Sequence, residues 1–187
     1  MSRVVGLDPS LSAFGVAVVE GGRVLNAASL TSGRETGHPR LEGLIERVSN
    51  WTRGALLVVI EGPSYGSGSQ SQKGHHERAG LWWAITQELW RDGVAYVVVS
   101  PRTRAKYATG NGNAGKAAVV AAASTRYGLG PITDDNVADA LTLAAMGARH
   151  LCWPIDVVNP DDPADVKRLT AFAAVSWPAG LPLRVAA

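Results

Sequence analysis

Cysteine is almost missing from this chain: Cys152 stands alone among 187 residues. A single thiol excludes an intrachain disulfide and any zinc site built on cysteines. No apolar run is long enough to cross a bilayer. The first residues run straight into a strand-like pattern, without the basic and then apolar stretch of a secretory signal. Charge is also sparse, at 18% of residues and a net +2, so no acidic or basic tract dominates. Against these absences, 46% of the residues are hydrophobic, which supports a packed core and excludes wholesale disorder. The length suits one domain. The expected setting is reducing and cytoplasmic, with no membrane partner. The pI of about 8.9 permits a nucleic-acid partner if the cations cluster.

The stretch Val4-Val5-Gly6-Leu7-Asp8-Pro9 reads as a strand that stops on a carboxylate. Val4, Val5 and Leu7 suit a pleated sheet. Pro9 cannot donate to a ladder and ends it. Asp8 is therefore placed at a strand exit, where turn-making is the plain alternative to chemistry. Residues 14–20 read as a second strand, Gly21-Gly22 as a tight turn, and residues 23–30 as a third strand, giving an antiparallel meander. After a polar loop, residues 40–53 place Leu41, Leu44, Ile45, Val48 and Trp51 on one helical face, with Gly54 as the stop. Residues 56–60 form a continuous apolar run, as in a strand buried on both faces. It too ends on a carboxylate, Glu61, before Gly62-Pro63. A right-handed crossover lays this strand parallel to the first, which brings Asp8 and Glu61 to the same edge.

Residues 64–74, rich in Gly, Ser and Gln, read as a mobile loop beside Glu61, placed to touch substrate. Residues 75–91 read as a helix carrying Trp82, Trp83 and Trp90, either buried or at a protein interface. Adjacent residues do not share a helix face, so His75-His76 read as helix-start histidines rather than a metal pair. Residues 94–99 form a fifth strand, broken by Ser100-Pro101. Arg102, Arg104 and Lys106 then cluster beside Tyr107. The segment Gly110-Asn111-Gly112-Asn113-Ala114-Gly115-Lys116 lacks P-loop spacing. It reads as a loop ending where Lys116 opens a helix over residues 116–127, and a helix N-terminus there can meet a phosphate.

Thr133-Asp134-Asp135-Asn136 reads as a helix start, and the helix runs on through Met146. Asp139 is out of place among Val137, Ala138, Ala140, Leu141 and Leu143, because a buried carboxylate without a partner is strongly unfavourable. Asp135 and Asn136 share its face at i−4 and i−3. Like charges at this spacing repel unless a cation lies between them. Beyond His150 lie five of the ten prolines and a short helix over residues 165–175. This tail shows no chemistry and is expected to pack on the domain.

Carboxylates thus end the first and fourth strands and sit on the last major helix. Converging carboxylates make a hard-oxygen site suited to Mg²⁺ or Mn²⁺, and paired ions of this kind drive phosphodiester cleavage. The cationic segment offers phosphate contacts.

Gly6-Leu7-Asp8-Pro9-Ser10, Ile60-Glu61-Gly62, the Lys106 and Lys116 region, and Asp139-Ala140-Leu141 together resemble the RuvC-type Holliday-junction resolvases of the RNase H-like superfamily, most closely the phage-encoded branch. The resemblance spans roughly residues 3–150. It implies an α/β, RNase H-like fold: a five-stranded mixed sheet, three strands antiparallel and then two parallel, flanked by helices. Residues 1–150 would form the nuclease domain and residues 151–187 an extension packed on it. The resemblance also implies a homodimer, formed through the helix with Trp82, Trp83 and Trp90, that nicks opposed strands of a four-way DNA junction with Mg²⁺. Two ions are expected, with Mn²⁺ able to substitute. Asp8, Glu61 and Asp139 match the family's metal carboxylates, and Lys106 and Lys116 its basic residues near the scissile phosphate. Tyr65 falls one position from an aromatic that stacks on a junction base. Lys73, Arg102 and Arg104 add to the DNA-binding set. The family often has an acidic residue three before its last Asp. Here that position is Asn136, and either Asp135 takes the role or Asn136 binds through its carbonyl. Asp135 is the expected fourth acid, alongside Lys116 in the catalytic set. The rival readings are an actin-like or heat-shock-ATPase-like lobe, a nuclease of the same fold acting on flaps, other branched DNA or RNA–DNA hybrids, and a non-catalytic junction-binding module.

Overall fold

The computed structural model describes residues 3–63 and 72–181. Five strands form one mixed sheet in the order β3-β2-β1-β4-β5. β1 (Arg3–Asp8), β2 (Ala13–Glu20) and β3 (Arg23–Thr31) run antiparallel, and β4 (Leu57–Glu61) and β5 (Tyr96–Val99) continue parallel to β1. The hairpin between β2 and β3 turns on Gly21 and Gly22, both with positive φ, the backbone that a two-residue turn requires. The helices are α1 (Gly37–Thr52), α2 (Gln72–Arg91), α3 (Pro101–Thr109), α4 (Lys116–Arg126), α5 (Asp135–His150) and α6 (Pro163–Ala173).

The period of two along a strand sorts side chains onto two faces. Val5, Leu7, Val58 and Ile60 pack with Leu44 and Val48 of α1 and Leu81, Ile85 and Leu89 of α2. Val4, Leu57 and Val59 point the other way, into the core built with α3, α4 and α5. Asp8 and Glu61 continue this second alternation, so both carboxylates are aimed at the α5 side.

That side is closed unusually tightly. A Cβ at Gly6 would lie 2.0 Å from the Ala140 carbonyl oxygen, and one at Gly15 would lie 2.1 Å from the Asn136 carbonyl oxygen. A Cβ at Gly147 would meet the methyls of Val4 and Val59 at 2.6 and 2.7 Å. Only glycine allows this backbone-to-backbone approach. It seats α5, buried from Ala138 to Ala148, directly on β1 and β2.

The structure corrects the sequence reading after β5. Ser100-Pro101 does break the strand, but it also starts α3, a helix absent from the sequence-based expectation. The Ser100 hydroxyl caps the Thr103 N–H at 3.1 Å. Pro101 occupies the first helical position, where its fixed φ is favourable and its missing N–H costs nothing. Gly110, at φ 81°, ends the helix.

Residues 151–181 pack on α3 and α5 rather than extending away. Leu151, Trp153 and Ala171 join the core. His150 stacks on Trp177 at 4.8 Å. Arg168, fully buried, pairs with Asp156 and, at 2.6 Å, with Asp165, while its Nε donates to the Tyr107 carbonyl at 2.7 Å. Arg149 bridges Asp156 and the Tyr107 hydroxyl, each at 2.8 Å. A buried charge is tolerated only when paired in this way. The tail thus carries an ion-pair network that clamps the last turn of α3.

Candidate active site

The pairing of Leu7 with Ile60 in the β1–β4 ladder makes Asp8 and Glu61 neighbours at the carboxyl edge of the sheet. The close seating of α5 brings Asp139, one turn into that helix, over the same edge. Carboxylate oxygens of Asp8, Glu61 and Asp139 lie within 4.8 Å of one another. They line a cleft of about 660 Å³. The Trp82 indole N–H donates to the Glu61 carbonyl at 3.0 Å, and Gly62 N–H to the Val99 carbonyl at 2.8 Å. These bonds fix the backbone on which Glu61 stands.

Electrostatics at the triad favour a neighbouring cation. Burial, and then the charges of Glu61 and Asp139, hold the Asp8 carboxyl well above the usual carboxylate range. Burial pushes Asp139 up to about 7, with Glu61 and Asp135 adding to it and Arg104 opposing it. Three acids crowded together in this way are relieved by positive charge. Their donors are hard oxygens, the set that Mg²⁺ and Mn²⁺ take.

Arg104 already brings positive charge into the triad. Its Nε donates to Glu61 Oε2 at 2.7 Å, one Nη contacts Oε1 at 3.4 Å, and the other bonds Asp139. The sequence reading gave Arg104 to DNA phosphates; here it stands inside the carboxylate cluster. The alternation Arg102, Arg104, Lys106 hides this, because residues two apart on a helix diverge. Once α3 is recognised, only one of the three can aim at the cleft. Arg102 lies instead on an adjoining hollow of about 240 Å³ that Arg104, Lys116 and Asp139 also line. Lys106, in the last turn of α3, is half-buried.

Lys116 opens α4 at the cleft and pairs with Asp135. Asp135 holds its ammonium charged, through their hydrogen bond first, against slight burial. Asp134 caps α5, accepting from the backbone N–H groups of Asn136 and Val137 and from the Asn136 amide at 2.9 Å. Both candidates for the fourth acidic position, Asp135 and Asn136, therefore face the cleft, one tied to Lys116 and one to the cap. His75 and His76, on the first turns of α2, also line it. Among the described residues the metal-competent group contains no histidine. Tyr65 lies outside the described residues, as does the side chain of Lys73. No helix among the described residues is long and apolar enough to cross a membrane.

The structure is similar to two solved structures of RuvC from Thermus thermophilus. One, in complex with a Holliday junction substrate, matches at TM-score 0.65 and 17% identity, covering 84% of this chain and 100% of that one. The other matches at TM-score 0.64 and 20% identity, covering 83% and 99%. The yeast mitochondrial Holliday junction resolvase matches at TM-score 0.54 and 13% identity, over 92% of this chain and 80% of that one. No family model matches the chain, and no curated protein matches it in sequence. The fold is that of the RuvC-type resolvases.

Proposed function

We propose that this chain, built on the RuvC-type resolvase fold, is a divalent-metal-dependent endonuclease that resolves four-way DNA junctions by paired symmetric nicks. The observation that carries this is the convergence of Asp8, Glu61 and Asp139 at the carboxyl edge of the β1–β4 pair, with oxygens within 4.8 Å. The Thermus relative is bound to a Holliday junction substrate in its solved complex, and the shared fold brings that substrate class to this protein.

Asp8, Glu61 and Asp139 would hold Mg²⁺, two ions at full occupancy and Mn²⁺ as a substitute, with Asp135 rather than Asn136 as the fourth acidic group. The Asn136 amide NH₂ is held by the cap and its carbonyl oxygen is a neutral ligand, whereas Asp135 offers a charged carboxylate once it releases Lys116. Bound divalent ions would activate the attacking water and neutralise the departing oxygen. Lys116, charged and mostly exposed, stabilises charge developing on the scissile phosphate. Arg102, Lys106 and Lys73 contact the backbone and Tyr65 stacks on a base, so that phosphates position and junction shape selects. Residues 1–150 form the nuclease unit, and the extension beyond them buttresses α3. Trp83 and Trp90, 68% and 75% exposed on α2, form the homodimer contact that places two clefts on opposed strands, as large exposed aromatics indicate. The enzyme works on DNA in the cytoplasm.

The test is cleavage of a synthetic four-way junction with Mg²⁺, beside flap, duplex and RNA–DNA hybrid substrates. Symmetric paired nicks confined to the junction are expected. Cleavage of flaps or hybrids alone would leave the metal site standing and overturn the substrate. No cleavage of any substrate would overturn the nuclease reading and direct attention to nucleotide binding.

A further inference from the structure

Arg104 bonds two of the three cradle carboxylates. Its side chain is only 11% exposed, as are those of Glu61 and Asp139. It bonds to both oxygens of Glu61 and to Asp139, and these are oxygens a metal ion would take. Arginine grips carboxylates as a planar fork and keeps its charge under all ordinary conditions. A divalent cation in the cradle would sit within a few ångströms of that guanidinium, and like charges at such distances repel more strongly in a largely buried site than in water. Arg104 engages three of the four carboxylate oxygens of Glu61 and Asp139, so guanidinium and metal compete for them.

The backbone of Arg104 is not free to move away. The Ser100 cap fixes the start of α3, and buried Arg168 grips the Tyr107 carbonyl at its end. Any exchange therefore falls on the side chain. The hollow beside it, shared with Arg102 and Lys116, gives the guanidinium a place to turn toward, on the side where those cations can meet phosphate.

We propose that Arg104 is a resident counter-ion: it holds the acidic cradle together in the metal-free protein and has to release Glu61 and Asp139 when a divalent cation binds. The inference rests on the metal reading above. It makes the free protein a weaker metal binder than its carboxylates alone would be, and it keeps the empty cradle from flying apart.

The experiment is calorimetric titration of metal-free protein with Mn²⁺ at mildly alkaline pH, comparing wild type, Arg104→Gln and Arg104→Lys, with thermal unfolding of each before and after loading. Arg104→Gln should bind Mn²⁺ roughly tenfold or more tightly, melt lower than wild type without metal, and recover when loaded. Arg104→Lys, charged but unable to bridge, should fall between. In the wild type, the Arg104 Nε–H resonance should move on titration with Mg²⁺. Unchanged or weaker Mn²⁺ binding in Arg104→Gln would overturn the inference and leave the metal site intact. So would an Nε–H resonance that stays put at saturating Mg²⁺, a measurement that needs no variant to fold. If neither wild type nor variant binds Mn²⁺, both the metal reading and this inference fall.

Discussion

Gly6→Ala is the sharpest perturbation of how this fold builds its site. The added methyl would lie 2.0 Å from the Ala140 carbonyl oxygen and 2.6 Å from the Ala144 nitrogen. Both are backbone atoms of a continuous helix, so no rotamer change relieves the clash. Ordinary contact begins near 3.4 Å, so α5 must back away from β1 by about 1.4 Å. Overpacking of this kind costs about 3 kcal/mol, set against a gain of roughly 0.5–1 kcal/mol for replacing a strand glycine. Asp139 precedes Ala140 and moves with it, opening the carboxylate cluster. Misplacement by an ångström lowers catalysis by about 100-fold. The assay is urea denaturation beside junction cleavage, with Gly43→Ala as the control. Gly43 lies inside α1, and a Cβ there meets only the Glu35 carboxylate at 3.6 Å, an ordinary contact, so that change should stabilise by up to about 1 kcal/mol. Equal stability of wild type and Gly6→Ala would refute the claim that the close approach of α5 positions the site.

Three further outcomes are expected. In the metal-free protein Asp139 keeps its proton up to about 7, whereas the unfolded chain loses it near 3.8. The native state thus binds more protons across that window, and stability falls as pH rises through it. The melting temperature should drop between about pH 5 and about pH 8; Asp139→Asn should shrink the drop to what the raised Asp8 contributes, and a rise over that range would contradict the assignment. Asp156→Ala strips buried Arg168 and Arg149 of a shared partner and should cost roughly 3 kcal/mol or more in chemical denaturation; a loss below about 1 kcal/mol would mean the clamp on α3 is incidental. Lys116→Ala should slow cleavage by about 100-fold with little change in melting, because its partner Asp135 is also at the surface. An equal effect from Lys73→Ala would reduce Lys116 to general surface charge.

The sheet was legible because its signals are local. Alternating and continuous apolar runs gave all five strands, Gly21-Gly22 gave the hairpin, and Pro9 and Gly62-Pro63 marked where β1 and β4 stop on Asp8 and Glu61. Asp139 stood out as a carboxylate in an apolar helix that needed a cation nearby, and the cation there is Arg104. What stayed hidden depends on partners far apart in sequence. α3 has nine residues with Arg, Thr and Lys among them, so no apolar stripe marks it, and Pro101 reads as a breaker as readily as a first helical residue. The tail looked chemically empty because Arg168 and Asp156 meet Tyr107 across 61 and 49 residues, separations that leave no periodic trace. Arg104 reaches Glu61 across 43 residues for the same reason, and in sequence it reads only as one more DNA-binding cation beside Arg102. The motion expected of residues 64–74 and the base-stacking role of Tyr65 bear on a segment that lies largely outside the described residues.

The most direct measurement is a crystal structure of the protein soaked in Mn²⁺, read by anomalous scattering. The expected result is a peak roughly 2 Å from carboxylate oxygens of Asp8, Glu61 and Asp139, with the Arg104 guanidinium withdrawn from the cradle. A peak elsewhere, with the three carboxylates still gathered around Arg104, would contradict the account of this site as the metal centre of a junction-cleaving enzyme.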